Sequence, residues 1–380
     1  MNCPSGSTKD QISTAELLEI GRATEPTLTE RKLEYWRSRG LLPSPVRSGQ
    51  DGKRPIWTYP SEVTAHLQAL LQLRSQSKDP NVLIPALWFQ GYPIKVRDVR
   101  SAILSYLRKL KDDIEKQLSK NLPESTGEMS QDESRWQALE QVASVAARKR
   151  GAKVPRLSRQ SLRERTEAIT LLFGLVLGES RASADLGIAA PSVERFVGID
   201  KGRRFRPGGT DPWMQSPPEE SLKIFAEVGG LDRLIQVMES ASGELICSAR
   251  TFCLGLIGGL AALSKFADAV TGRDNSSGFA GMLMFQDDPL TAVLILPLFV
   301  AILSSSLLSE PLSNVVSALQ EQVIPTEQYV RRLAAMSEAE LKDELPKIDE
   351  LPFAQQAAIK RLISQYKNTN TNLIIQGTPG

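Results

Sequence analysis

The residue types best suited to chemistry cluster near the amino terminus: Arg31, Lys32, Tyr35, Arg37 and Arg39, followed by Arg47, Lys53, Arg54 and Tyr59. Cations set among phenols suit a polyanion, because Lys and Arg neutralise phosphates and can also donate to guanine O6 and N7. Other chemistries find little support. Cys3, Cys247 and Cys253 cannot all pair, and no Cys-x-x-Cys spacing occurs. Cys247 and Cys253 are six apart, about 240° around a helix, so they read as two buried small apolar residues and not as metal ligands. The one histidine, His66, reads as a surface or half-buried side chain, and a single histidine weighs against a His-dependent triad. The sequence has no glycine-rich phosphate loop followed by Lys-Ser/Thr, no HExxH and no GxSxG. No enzyme, metal or cofactor is therefore expected, although carboxylate chemistry stays open.

Charge singles out the same region. The net charge is +2 over 380 residues. Residues 1–120 hold 19 Lys/Arg against 13 Asp/Glu, while the rest hold 27 against 31. A basic front on a mildly acidic body suits contact with a polyanion. Three cysteines and a start without an apolar leader fit a cytoplasmic protein.

The elements that must position these cations follow from local patterns. Residues 1–11 read as a polar, disordered start. Ser13 and Glu16 form a capping box for a first helix, with Leu17, Leu18 and Ile20 on its apolar side and Gly21 near its end. Thr27 and Glu30 form a second box, opening a helix that stops at Gly40. In that helix Leu33 and Trp36 share one face, while Leu28, Arg31, Lys32, Tyr35 and Arg39 lie on the other. Two short helices with a tight connection are the sequence form of a helix-turn-helix. Two β-compatible arms then flank Gly49-Gln50-Asp51-Gly52, a hairpin signal with cations near its tip. Ser61-Glu62 opens a third helix with Val63, Leu67, Leu70 and Leu71 as its core line. A polar link at 75–81 and an apolar helix from Val82 to Phe89 come next, ending at Gly91-Tyr92-Pro93.

The run Leu33-Glu34-Tyr35-Trp36-Arg37-Ser38-Arg39-Gly40-Leu41-Leu42-Pro43, the Arg54…Tyr59 exit and Gly91-Tyr92-Pro93-Ile94 together resemble a MerR-type DNA-binding domain. The match covers residues 12 to about 105. It departs from the family at Glu34, where an arginine is usual, at Trp36, where a tyrosine is usual, and in a longer segment before Gly91. The resemblance implies a winged helix-turn-helix whose second helix enters the major groove. Arg31, Lys32, Tyr35 and Arg39 would face bases or phosphates, while Arg37, Arg47, Lys53 and Arg54 would position the backbone and Tyr59 would mark the wing exit. Family members are dimers joined by the following helix. Here 94–120 carries an apolar seam of Val96, Val99, Ile103, Leu107, Leu110, Ile114 and Leu118, readable as a dimer helix or as one packed on its own domain.

The expected layout is mainly α: a start at 1–11, the winged domain at 12–93, the helix at 94–120, a linker at 121–135, an all-α body at 136–368 and a loose tail at 369–380. Two basic runs, 148–165 and 201–206, are either accessory nucleic-acid patches or solvated faces. Residues 289–309 carry no charge and read as a buried helix in preference to a membrane span, since Pro297 is central and serines crowd one end. Residues 310–368 read as amphipathic helices broken at Pro325, Pro346 and Pro352. The resemblance, with the basic front, implies a sequence-specific DNA-binding transcription regulator, a homodimer on double-stranded DNA, whose body is expected to take a small-molecule or protein effector. The alternatives are an excisionase-like accessory protein of a mobile element and a membrane-tethered interaction module.

Overall fold

A computed structural model of the chain describes residues 11–51, 54–122, 130–148, 161–179, 226–271, 289–305 and 309–337, with scattered positions at 181–193 and 340–364. The start at 1–10, Gly52 and Lys53, residues 123–129 of the linker, residues 149–160 of the first basic run, the second run at 201–206, and the tail lie outside the described residues. Arg54 is described in its backbone alone.

The architecture is mainly helical, with one small antiparallel sheet. Strand β1 (Gln11–Ser13) leads into α1 (Thr14–Thr24) and α2 (Glu30–Ser38); β2 (Val46–Asp51) and β3 (Arg54–Pro60) follow, then α3 (Val63–Arg74), α4 (Pro80–Phe89) and α5 (Val96–Lys120). The sheet order is β1-β3-β2. The expected polar start therefore ends earlier than residue 11. Gln11 pairs with Pro60 in the sheet, and its side chain accepts a 2.9 Å hydrogen bond from the Thr58 hydroxyl. Gly49, Gln50 and Asp51 belong to β2 instead of a turn; Asp51 pairs with Arg54, and a bulge sits between Arg47 and Gly49.

Ser13 and Glu16 form the expected capping box on α1. Gly21 plays a different part from the one its position suggests. The helix continues past it to Thr24, and Gly21 is buried where a Cβ would meet Leu28 and lie 3.0 Å from a Leu67 methyl. It is a close-packing residue between α1 and α3. The second cap is Thr29, not Thr27: Thr29 has extended backbone, and its hydroxyl accepts from Lys32 N at 3.3 Å. Leu28 precedes the helix and is buried in the core, so it does not share the cationic face.

The body begins inside the expected linker, with α6 (Gln131–Arg148) pairing against α7 (Leu162–Leu177). It continues as α8 (Leu231–Ser240), α9 (Gly243–Thr271), α10 (Pro289–Ser304), α11 (Ser309–Ala318) and α12 (Ile324–Ala335). Pro325 does not break a helix. A π-helical turn, Leu319–Val323, widens the backbone just ahead of it, and Pro325 sits in the first turn of α12, where its missing N–H is tolerated.

Among the described residues one hydrophobic core joins the amino-terminal elements to α8, α9 and α10, while Trp136, Leu171 and Leu175 belong to a second cluster and Val330, Leu333 and Leu362 to a third. The first runs from Leu17, Leu33 and Trp36 through Leu67, Leu87, Val99, Ile103 and Leu107 to Leu234, Met238, Ile246, Leu296 and Val300. The seam of α5 is thus filled from within the chain: Val99, Ile103, Leu107 and Leu118 are buried in one copy. The expected boundary after residue 93 does not separate two cores. Arg250 reinforces the junction, its guanidinium lying 5.0 Å from the Trp88 ring centroid and donating to the Phe89 carbonyl at 3.3 Å. Arg100 donates to the Ala241 carbonyl. Burying several large apolar side chains at about 1.5–3 kcal/mol each makes the shared core the main attachment, with surface pairs such as Arg108–Glu239 secondary.

Helix α10 is 16 residues long and buries Ala292, Val293, Leu296, Val300 and Ala301. Among the described residues, the helix long and apolar enough to cross a membrane is not this one but Gly243–Leu263 within α9, a third of which is buried against its neighbours.

Candidate nucleic-acid interface

Helix α2 is anchored from beneath and at both ends. Leu33 and Trp36 are buried beneath it, and the Arg74 guanidinium lies 4.9 Å from the Trp36 ring centroid. Arg22 Nε donates to the Leu28 carbonyl at 3.0 Å, fixing the connection from α1. The helix ends at Gly40, whose φ of 71° is the left-handed conformation that glycine adopts without strain. Leu41 N then bonds the Trp36 carbonyl at 2.9 Å, and Leu41 and Leu42 are buried, so the chain leaves for β2 at a fixed angle.

Beneath this junction lies His66. It is 2% exposed, not at the surface, and its ring stacks on Tyr92 with centroids 4.5 Å apart. Neither ring nitrogen has a hydrogen-bond partner of full geometry. Burial pushes its pKa down to about 4, partly opposed by the Leu41 backbone, so the ring is neutral near pH 7.

The nine expected contact residues divide into groups. Arg31, Tyr35 and Arg39 are exposed on α2, and the Arg39 guanidinium lies 5.5 Å from the Tyr35 ring centroid. Arg47 is exposed on β2 and donates to Gln50 Oε1 at 3.2 Å. Lys32 is already engaged: its Nζ donates to Glu25 Oε1 at 2.8 Å and to the Thr27 hydroxyl at 3.0 Å. That bond is the chief reason the Glu25 carboxyl lies below its ordinary range. Tyr59 does not belong in the set. It is 1% exposed, and its hydroxyl accepts from Arg37 Nη1 at 3.2 Å. A buried phenol finding its partner is ordinary packing, and here it braces β3 against the half-buried Arg37 of α2. Lys53 and the Arg54 side chain lie outside the described residues.

Sequence reasoning missed three side chains on the same sheet: Val46, Ile56 and Trp57 are 56%, 43% and 50% exposed. A signal was present. Ile56 and Trp57 are adjacent, and strand alternation sends neighbours to opposite faces, so a narrow ribbon cannot bury both.

Among the described residues no group of three or more His, Cys, Asp or Glu could hold a metal ion. Cys253 is buried, and its thiol is pushed up to about 12 by that burial, while Cys247 is exposed and so is not the second buried residue expected. Comparison with known proteins finds no matching family model, no matching curated protein and no matching solved structure.

Proposed function

We propose that the chain is a sequence-specific DNA-binding transcription regulator whose residues 12–93 act as a divergent MerR-type winged helix-turn-helix. In this reading α2 enters the major groove, and the β2–β3 pair is the wing laid on the backbone. One observation carries it: Arg31, Tyr35 and Arg39 stand exposed on a short helix whose other side is anchored by Leu33 and Trp36. Arg47 on the adjacent strand pair extends the positive surface. Arg37 and Tyr59 hold the two halves together and touch no DNA in this account.

The target is double-stranded DNA, read by two copies on a two-fold site. Because the α5 seam is closed within one copy, the second copy uses another surface. An effector acts on the body, and the core shared between α4, α5, α8 and α10 provides a physical link from that body to the reading helix. No catalytic step belongs to this reading.

The test is retention of purified full-length protein on promoter fragments from its own locus at several salt concentrations. Selective retention with a steep salt dependence supports the proposal. No retention at low salt sinks it.

A further inference from the structure

We infer that Trp57 is a wedge that enters DNA at a base step, with Arg47 holding the adjoining phosphate; this rests on the DNA-binding reading above. Trp57 and Arg47 are direct cross-strand partners in the β2–β3 ribbon. Strand alternation puts Trp57 and Tyr59 on one face of β3. Tyr59 is buried and tied to Arg37, and it pairs with Ile12 of β1, so the strand is pinned two residues from Trp57. The pinned stretch includes Thr58, paired with Ser13. Trp57 is thus a large apolar side chain held out at the edge of a fixed support.

Charge chooses the occupant. Strands β2 and β3 hold two arginines, Arg47 and Arg54, against one acid, Asp51; Arg47 is beside the indole, and α2 with its cap carries Arg31, Lys32, Arg37 and Arg39 against Glu30 and Glu34. An indole has one N–H and cannot fork onto a phosphate as a guanidinium does, so its apolar body is satisfied by a base face. Apolar side chains inserted between base steps, with cations alongside, are an established way of kinking a duplex.

The experiment uses the full-length protein and a retained promoter fragment carrying 2-aminopurine at successive positions. Wild-type protein and Trp57→Phe brighten the probe at one step, and Trp57→Ala abolishes that signal and weakens binding about tenfold or more. Trp57 is half exposed, so truncation spares the core; matching thermal melts of the two variants and wild type verify this. Retained DNA with no brightening at any step overturns the wedge while leaving the DNA-binding reading standing. Unchanged affinity of Trp57→Ala also overturns it. So does a loss of DNA-free oligomer mass in Trp57→Ala by light scattering without any probe signal, since Trp57 would then cover a second copy. No retention of wild-type protein sinks both readings.

Discussion

Replacing Arg31, Arg39 and Arg47 together with Ala should flatten the salt dependence of DNA binding by a predictable amount. Each phosphate neutralised contributes a slope of about −0.9 in log affinity against log salt. All three side chains are exposed; Arg47 bonds only a neutral amide, Gln50, and Arg39 lies over the Tyr35 ring, so neither is neutralised by a carboxylate as Lys32 is. Three lost contacts reduce the slope by about 2.7 per bound copy. Between about 50 and about 200 mM salt, wild-type affinity then falls about 40-fold further than that of the triple variant. Lys32→Ala is the internal comparison. Its ammonium is held by Glu25 and Thr27 at 2.8 and 3.0 Å, so engaging DNA must break those bonds, and its removal changes the slope by less than about one unit. Fluorescence anisotropy with a labelled promoter fragment measures both slopes. A triple variant with the wild-type slope refutes the assignment of the reading surface, as does Lys32→Ala flattening the slope as much as the triple.

Gly21→Ala should destabilise the fold by about 1–2 kcal/mol net, an overpacking cost of about 2–3 kcal/mol against Leu28 and Leu67 less the ~1 kcal/mol that Ala normally gains over Gly in a helix; a urea midpoint at or above wild type contradicts this. His66 has a lowered pKa in the fold, so its neutral form is favoured there; the stability it supports is complete above its ordinary value of 6.5 and is lost as pH falls through about 4. That amounts to about 3 kcal/mol, and His66→Phe should remove this part of the pH dependence in urea titrations from pH 7 to pH 4. Glu115 adds a second acid-sensitive step: bonding to Arg135 lowers its pKa, so its contribution is present above 4.5 and lost below, and Glu115→Gln should show a shallower acid limb. In a Cys3→Ser variant, Cys247 should react promptly with a thiol reagent and Cys253 only on unfolding; two fast thiols contradict the burial of Cys253.

Helix α2 was legible because its pattern is local. Leu33 and Trp36 recur on one face, Gly40 stops the helix, and the cations fall opposite. Its cap was misplaced by two residues because Thr27 and Thr29 offer the same hydroxyl, and only the extended backbone at Thr29 decides between them. Gly21 and Tyr59 misled for a common reason. Each looks like a local signal, a helix end and a wing exit, yet each is fixed by packing against a distant element. Strand β1 was invisible because three residues cannot display alternation; it exists through pairing with β3 some 45 residues later. The shared core was equally hidden, since an amphipathic seam on α5 does not say whether its cover comes from a second copy or from the far end of the same chain.

That shared core has a consequence during synthesis. Helix α5 packs on α4, made just before it, and also on α8 and α10, which leave the ribosome long afterwards; α10 ends at Ser304. Translation at about 5–20 residues per second puts a delay on the order of 10–40 seconds between Lys120 and that point. For that interval Val99, Ile103 and Leu107 have α4 beside them but lack the cover that α8 and α10 add. The junction between the amino-terminal elements and the body is thus completed late, whereas α2 takes its support from Leu33, Trp36, Arg74 and Tyr59, which are made before α5 ends.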